Sequence, residues 1–144
     1  MFTIKVLSLS DLSLLLKVAE DVFDNSVDEN LAVEFLNDPR HHIVAAIDDG
    51  VMIGFASAVH YIHPDKPPEL WINEVGVAAS HQKQGIGKAI MKEMLRLGQQ
   101  LGCENAWVLT EKENEAANGL YKSAGGVGSY AVMYEFDVPD RPSP

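Results

Sequence analysis

The chain has 144 residues and a mass of 15.8 kDa, so we expect residues 1–144 to form one domain. Hydrophobic residues make up 47% of the chain and charged residues 22%, a composition that excludes a disordered or fibrous protein. Eleven Lys and Arg against 21 Asp and Glu give a net charge of −10, which disfavours nucleic acid as a partner and favours cationic ligands.

The first half of the chain predicts two helices and three strands. Asp28 is a suitable N-cap for the second helix, and the breaker 37–39 ends that helix. Asp49-Gly50 predicts a tight hairpin turn, because Gly accepts the positive φ that such turns require. The predicted elements are strand 3–7, a helix from about 11 to 22, helix 28–36, strand 42–47 and strand 51–61.

The second half alternates strands with helices. Apolar residues of the segment 86–101 recur at helical spacing, and Gly102 can end that helix. The predicted elements are strand 70–77, helix 86–101, strand 106–110, helix 114–123 and strand 130–138, with a frayed tail from Pro139. Together these elements predict an α/β fold: a mixed central sheet of about six to seven strands, with helices on both faces and a parallel crossover through the long helix.

A polar loop with two glycines, Gly85 and Gly87, leads into the long helix. Backbone N–H groups at a helix N-terminus attract anions, and glycine lets a phosphate approach the main chain. A Walker loop would need Gly at Gln82 and Ser or Thr at Ala89, and a dinucleotide fingerprint would need Gly or Ala at Ile90. The loop is therefore either an anion site of another kind or an ordinary helix entry.

The pattern Gln82-x-x-Gly85-x-Gly87 resembles the pyrophosphate-binding motif of the GNAT superfamily of N-acetyltransferases. The resemblance covers essentially the whole chain, and it implies the GNAT fold with a splayed pair of parallel strands. Segments 69–77 and 82–101 are most similar to the aminoglycoside 3-N-acetyltransferase subgroup. Two further segments match the superfamily: Val75-Gly76-Val77, and Asn114-x-x-Ala117-x-x-x-Tyr121 followed by Gly125-Gly126, where the family usually has Gly-Phe.

The resemblance implies a site for acetyl-CoA, which is the co-substrate of this superfamily. The main chain of Val75 and Val77 would pair with the pantetheine arm, and Asn114 and Ala117 would hold the arm from the other side. The pyrophosphate would lie against the backbone amides of Gln82, Lys83, Gln84, Gly85, Ile86 and Gly87, with added positive charge from Lys88.

Acetyl transfer to an amine needs a base for the amine, a donor to the thioester carbonyl and a proton for the leaving thiolate. Glu74 matches the acidic position of the subgroup and is the predicted base, with Glu69 in reserve. The backbone N–H of Val75 would polarise the carbonyl, and Tyr121 would protonate the sulfur. The structural alternatives are a solvent-facing strand carboxylate for Glu74 and a packing role for Tyr121.

Acidic residues near the predicted cleft favour a polycationic acceptor such as an aminoglycoside. Glu69, Asn73 and Glu111 are the predicted acceptor-binding residues. The alternatives are a peptide, protein or metabolite amine as acceptor, a CoA-binding sensor without catalysis, and acidic residues that only keep the protein in solution. The acidic residues concerned are Asp65, Glu69, Glu74, Glu111, Glu113, Glu115, Glu135 and Asp137.

The remaining patterns concern metals, membranes and compartment. The single cysteine, Cys103, forms no internal disulfide and has no His beside it, so we expect a structural thiol and direct transfer without an acyl-enzyme. Neither HExxH nor a Cys-His metal spacing occurs, and we expect no metal. The sequence shows no signal peptide and no long apolar run, so we expect a cytoplasmic protein without a membrane anchor. The resemblance is also compatible with a homodimer.

Overall fold

The computed structural model describes residues 1–140, in which five strands form one sheet in the order β1-β2-β3-β4-β5. The strands β1 to β4 are antiparallel neighbours, and β5 is parallel to β4. The strands are β1 Phe2–Val6, β2 His41–Asp48, β3 Val51–Tyr61, β4 Glu69–Val77 and β5 Asn105–Val108. The α-helices are α1 Leu12–Leu16, α2 Glu29–Asn37, α3 Ile86–Gln100 and α4 Glu115–Ser123.

Helices cover both faces of the sheet, as predicted. The helix α3 packs across all five strands, while α1 and α2 contact β3 and β2. Neighbouring residues of a strand point to opposite faces. A Cβ on Gly54 would lie 3.2 Å from the Ile90 side chain of α3, whereas the next residue, Phe55, stacks on Phe23 at 4.1 Å between ring centroids. The sheet is therefore buried between α3 and the segment that follows α1.

Several local predictions are confirmed at the level of single residues. The Asp28 side chain accepts a hydrogen bond from the Leu31 N–H at 2.9 Å and caps α2. Asp49 and Gly50 have φ values of 52° and 75°, so both turn residues of the β2–β3 hairpin are left-handed, as in a type I′ turn. The α3 helix ends one residue before Leu101, and Gly102 follows with φ 82°.

The first predicted helix is wrong in its length. A 3₁₀ turn, Leu9–Asp11, precedes α1, and α1 ends at Leu16 rather than near Val22. The reason is a competing acceptor, because the Ala19 N–H donates to the Met52 carbonyl of β3 at 3.0 Å. Val22 lies in an irregular segment and is buried in the core. The apolar spacing up to Val22 therefore indicated burial but not a continuous helix.

The predicted sheet of six to seven strands is also wrong in its strand number. Residues 130–138, predicted as the last strand, pair with no strand within residues 1–140. The strand predicted as 106–110 is β5, which begins at Asn105 and ends at Val108. The predicted frayed tail from Pro139 lies mainly outside the described residues.

The strand β4 changes its register at the point where its parallel partner ends. Ser57 pairs with Glu74 and Ala58 pairs with Ile72, so Asn73 is an extra residue on β4, as in a β-bulge. The last pair between β4 and β5 is Ile72 with Val108. The two parallel strands are therefore paired only over the first four residues of β4, which creates the predicted opening. Within residues 1–140, no helix combines the length and hydropathy that a membrane crossing requires.

Candidate functional site

The opening between β4 and β5 exposes the second half of β4. Asn73 and Glu74 are both exposed, and this interrupts the alternation of buried Leu70 and Ile72 with exposed Trp71. No strand in residues 1–140 pairs with β4 on the β5 side beyond Ile72. Main-chain groups along this edge are therefore accessible to an extended ligand.

The half-buried valines of this strand, Val75 and Val77, pair with Ala56 and Gly54 of β3 on the other side. The side chains of Val75 and Val77 are partly buried against the core. The use of the main-chain groups of these two residues by a pantetheine arm stays a prediction.

The loop from β4 to α3 is held by three polar contacts. Gln82 Nε2 donates to the Val77 carbonyl at 3.2 Å, and the Ala79 N–H donates to Asp21 Oδ2 at 2.7 Å. His81 Nε2 lies 2.8 Å from Asp48 Oδ2 in the β2–β3 hairpin. These contacts hold the first part of the loop to β4, to the β2–β3 hairpin and to the segment after α1, and the Gln82 side chain folds back onto β4.

The backbone enters α3 through left-handed residues. Lys83 has φ 62° and Gly85 has φ 79°, and no described atom lies within 4 Å of a Cβ built on Gly85. Gly85 therefore provides both the strained conformation and open space beside the helix start. The side chains of Lys83 and Gln84 are exposed.

The amides of the first turn of α3 are available to an anion. The first helical bond runs from the Ala89 N–H to the Gly85 carbonyl at 3.1 Å, so the N–H groups of Ile86, Gly87 and Lys88 lack a helical acceptor. The Ile86 side chain is buried, whereas the Lys88 side chain is exposed. Free N–H groups at a helix start can bind an anion, and a pyrophosphate site here, with Lys88 as the nearby cation, stays a prediction.

Gly87 brings α4 against the start of α3. A Cβ on Gly87 would lie 3.1 Å from Leu120 Cδ2, so a larger residue would push α4 away from α3. Asn114 Oδ1 accepts the Ala117 N–H at 3.0 Å and caps α4. The predicted role of Asn114 toward the pantetheine arm therefore rests on its amide nitrogen, because its oxygen already caps the helix.

Tyr121 lies on α4 and is half-buried, and burial raises the pKa of its hydroxyl. Its carbonyl accepts the Gly126 N–H at 2.8 Å. No hydrogen bond joins the Tyr121 hydroxyl to another group within residues 1–140. The hydroxyl is thus a protonated group at neutral pH, as a general acid must be.

Glu69 belongs to a hydrogen-bond network at the start of β4. Glu69 Oε2 accepts from His63 Nε2 at 2.8 Å and from the Tyr61 hydroxyl at 3.2 Å, while Oε1 accepts from Asn105 at 3.2 Å. The bond from Asn105, followed by that from His63, lowers the pKa of the Glu69 carboxyl. Trp107 Nε1 also donates to the Tyr61 hydroxyl at 2.9 Å. This network joins β3, β4 and β5.

Glu74 differs from Glu69 in its surroundings. Its side chain is exposed beside the extra residue of β4, and no side-chain hydrogen bond engages it within residues 1–140. The structure thus separates the two predicted base candidates: one is held in a network, and the other lies at the opening.

Three of the other predicted acidic residues, Glu111, Glu113 and Glu115, are exposed and follow the C-terminal end of β5. Glu111 and Glu113 lie in the loop after β5, and Glu115 lies in the first turn of α4. Asp65 pairs with Lys66 at 3.5 Å. On the helix α3, Arg96 pairs with Glu93 at 2.7 Å, which agrees with a solvated helix face.

Three residues that shape the site were not among the residues predicted from the sequence: Asn118, Asp21 and Asp48. Asn118 Nδ2 donates to the carbonyls of Asn114 at 2.7 Å and Glu111 at 3.0 Å, and so fixes the loop before α4. Asp21 and Asp48 hold the loop after β4 from positions 58 and 33 residues away. The Asn118 contacts span only four and seven residues of chain, whereas no local pattern indicates the contacts of Asp21 and Asp48, which depend on the tertiary approach of distant segments.

The structure places Cys103 at the turn between α3 and β5, half-buried. Burial, followed by the charge of Glu69, raises the pKa of the Cys103 thiol, which keeps it protonated and a weak nucleophile. Within residues 1–140, no group of three or more His, Cys, Asp or Glu side chains is placed to hold a metal ion.

The sequence profile of the acetyltransferase (GNAT) family matches residues 12–125. The N-alpha-acetyltransferase RimI of Mycobacterium tuberculosis is 28% identical over 90 residues, which cover 62% of this chain and 54% of that protein. The matched region of this chain therefore spans about half the length of that relative.

Two solved structures share the fold. An aminoglycoside acetyltransferase from an uncultured soil metagenomic sample, in complex with sisomicin, has a TM-score of 0.85 at 18% identity, covering 96% of this chain and 97% of that chain. AAC(6')-Iy, in complex with a bisubstrate analogue of CoA and acetylneamine, has a TM-score of 0.80 at 21% identity, covering 95% and 98%. At these identities the likeness shows the fold alone.

The profile match confirms the predicted family and the predicted class of enzyme, whereas the closer likeness to the 3-N subgroup stays a prediction. The matched region includes the open half of β4, the glycine loop before α3, and α4. The chain belongs to the acetyltransferase (GNAT) family.

Proposed function

We propose that the chain transfers the acetyl group of acetyl-CoA to a primary amine of a polycationic small molecule, with an aminoglycoside as the first candidate. The observation that carries the proposal is that one loop, residues 78–85, connects the open half of β4 to the unpaired amides of the first turn of α3. The unpaired amides of α3 suit a pyrophosphate, and the open edge of β4 suits an extended arm that contains amide groups. Bound acetyl-CoA would supply an activated acetyl thioester.

In this proposal the loop and first turn of α3 bind the pyrophosphate through main-chain N–H groups. Gly85 gives the phosphate room, Lys88 adds charge, and Gln82 holds the loop to Val77. Val75, Val77 and the Asn114 amide orient the pantetheine arm, and Ala117 lines the side of α4. A shallow surface depression between α3 and α4, beside Lys88, adjoins this region.

Glu74, rather than Glu69, is the proposed base. A base must be free to accept a proton from the ammonium group of the acceptor, directly or through water. Glu69 is engaged by three hydrogen-bond donors that lower its pKa, whereas Glu74 is exposed at the opening. Glu69 and Glu111 would still contribute negative charge toward the acceptor, and Asn73 would offer a neutral amide for hydrogen bonding.

The remaining steps use groups on either side of the opening. The Val75 N–H would donate to the thioester carbonyl, where negative charge develops during attack. The Tyr121 hydroxyl, which is protonated at neutral pH, would give its proton to the departing sulfur. The protonated Cys103 thiol favours direct attack by the amine within a ternary complex.

The net charge of −10 and the exposed carboxylates at this end of the sheet support a polycationic acceptor. A peptide or protein amine is the second candidate, because the RimI relative is an N-alpha-acetyltransferase. A metabolite amine, or a sensor that binds acetyl-CoA without turnover, would also use the same cofactor site. We place the reaction in the cytoplasm, since the single cysteine needs no oxidising compartment.

Replacing Gly85 by Trp should abolish CoA binding, because the indole would fill the space proposed for the pyrophosphate. Gly85→Ala is the matched control, since it introduces the same backbone strain at φ 79° without a bulky side chain. Titration calorimetry with CoA measures both variants. Wild-type affinity in the Gly85→Trp variant would remove the cofactor assignment.

Replacing Glu74 by Gln should lower turnover by roughly 100- to 10,000-fold and leave CoA affinity nearly unchanged, because the amide accepts no proton. Thiol release measured across a pH series reports the effect, and Glu69→Gln is the comparison variant. If Glu74→Gln keeps the wild-type rate at every pH while a folded Glu69→Gln variant loses it, the base is Glu69.

Replacing Tyr121 by Phe should slow acetyl transfer, by up to about 100-fold, at the low end of general-acid effects. The ring is retained, so the packing of α4 and the CoA affinity should stay constant. Pre-steady-state thiol release separates the chemical step from product release. An unchanged chemical rate would assign Tyr121 to packing.

A screen for thiol release with acetyl-CoA should show turnover with aminoglycosides above that with polyamines and peptides. Raising the ionic strength should increase KM for the amine more than KM for acetyl-CoA, because salt screens the carboxylates. Turnover only with peptides that have a free N-terminal amine would favour the second candidate, a peptide or protein acceptor. Binding of acetyl-CoA without turnover on any amine would favour the sensor.

A further inference from the structure

The two tryptophans of the chain, Trp71 and Trp107, stack on each other. They are a directly paired couple of the parallel strands β4 and β5, and their ring centroids lie 5.1 Å apart at an interplanar angle of 10°. Trp71 is 38% exposed, and Trp107 is half-buried. We call this pair the indole platform. It offers a broad aromatic surface, open to solvent, on which a flat ligand face can stack.

The indole platform lies on the face of the sheet opposite α3. The residues on either side of Trp71, Leu70 and Ile72, are buried, and a Cβ on Gly98 of α3 would lie 3.1 Å from Leu70 Cδ2. Because neighbouring residues of a strand point to opposite faces, Trp71 points away from α3. On this second face α1 and α2 contact β3 and β2, and Trp71 of β4 stays exposed beside them.

The extra residue of β4 brings Glu74 onto the same face as Trp71. In a regular strand, residues three positions apart point to opposite faces. Here Trp71 pairs with Val59 of β3, and directly paired residues share a face. Glu74 pairs with Ser57, which is two residues from Val59. Trp71 and Glu74 are therefore separated along this face by about 7 Å, two rises of an extended strand.

Hydrogen bonds fix the orientation of the indole platform. Trp107 Nε1 donates to the Tyr61 hydroxyl at 2.9 Å, and this hydroxyl donates to Glu69 Oε2 at 3.2 Å. His63 and Asn105 contact the same carboxylate. An indole that is held at its nitrogen and stacked on its neighbour has little freedom to lose when a ligand binds. The network of Glu69 thus orders the platform as well as joining three strands.

A carboxylate lies on each side of Trp71 along this face. Glu69 precedes Trp71 by two residues, and Glu74 follows it after the extra residue. Indole faces carry negative charge density, which attracts an ammonium group and the C–H groups that it polarises. An aromatic surface between two carboxylates therefore suits a ring with apolar faces and cationic substituents. An amino sugar has this chemistry, whereas a linear polyamine has the charges without the ring.

We propose that Trp71 and Trp107 bind an amino-sugar ring of the acceptor and so select cyclic polycations over linear ones. This inference rests on the proposed function, because it assigns a binding surface to the acceptor of that reaction. Trp71 contacts the sugar ring, and Glu74, farther along the same face, receives the amine to be acetylated. Tyr61 is a positioning residue, since it acts on the acceptor only through Trp107.

Tryptophan fluorescence tests the indole platform directly, because the chain has no tryptophan outside it. Titration with kanamycin, an aminoglycoside probe, should change the emission of the wild-type chain, and spermidine, a linear polyamine, should change it much less. In calorimetry, Trp71→Ala should weaken kanamycin binding roughly tenfold, while Trp71→Phe, which keeps an aromatic ring, should retain most of the affinity. Spermidine affinity should be equal in all three chains, and circular dichroism confirms that each is folded.

Tyr61→Phe tests the positioning role, because it removes the hydroxyl between Trp107 and Glu69 and keeps the ring. Its affinity for kanamycin should fall severalfold, whereas its affinity for spermidine should not change. A general loss of structure would weaken both ligands equally. That result would overturn the role of Tyr61.

The outcomes separate this inference from the proposed function. A wild-type chain that does not bind kanamycin, an emission that kanamycin leaves unchanged, or equal kanamycin affinity in wild type and Trp71→Ala would each overturn the platform. Kanamycin binding that depends on Trp71 without thiol release from acetyl-CoA would support the platform and refute the proposed function. Kanamycin turnover with the same KM in wild type and Trp71→Ala would refute the platform and support the proposed function.

Discussion

The end of pairing between β4 and β5 at Ile72 and Val108 is the constraint on which the rest of the site depends. Asn73 adds one residue to β4 at the next position, and a bulge bends its strand and increases the local twist. Antiparallel pairing with β3 continues through Val77, so β4 remains fixed on one side while its other edge is open. A rigid strand with one free edge is a surface on which an extended ligand can be held.

The position of the proposed anion site depends on packing as much as on its glycines. The helix α3 is anchored to the sheet by Ile86, Ile90 and Met94, all of them buried, so its first turn cannot move away from the end of β4. Gly87 lets Leu120 approach closely and brings α4 to the same place. The proposed phosphate site, the opening and Tyr121 thus share one junction of β4, α3 and α4.

Two carboxylates on one strand illustrate how surroundings divide chemical roles. Glu69 joins Tyr61, His63 and Asn105, and its hydrogen bonds favour the ionised form. Glu74 lies five residues later, at the exposed bulge. A carboxylate in a network that holds three strands together has little freedom to exchange protons with a substrate. An exposed carboxylate at the opening is free to do so. The proposed assignment of the base follows from this difference.

The sequence by itself determined the family, the order of most elements and the place of the glycine loop before α3. The α3 periodicity, the Asp28 cap, the Asp49-Gly50 turn and the glycine motif are local signals, since each depends on residues within one or two turns of chain. The tertiary structure alone decided the length of α1, the register shift at Asn73 and the absence of a strand at 130–138. Each of these depends on which distant group supplies a hydrogen-bond partner: the Met52 carbonyl for Ala19, the β3 ladder for Asn73, and none within residues 1–140 for the last segment.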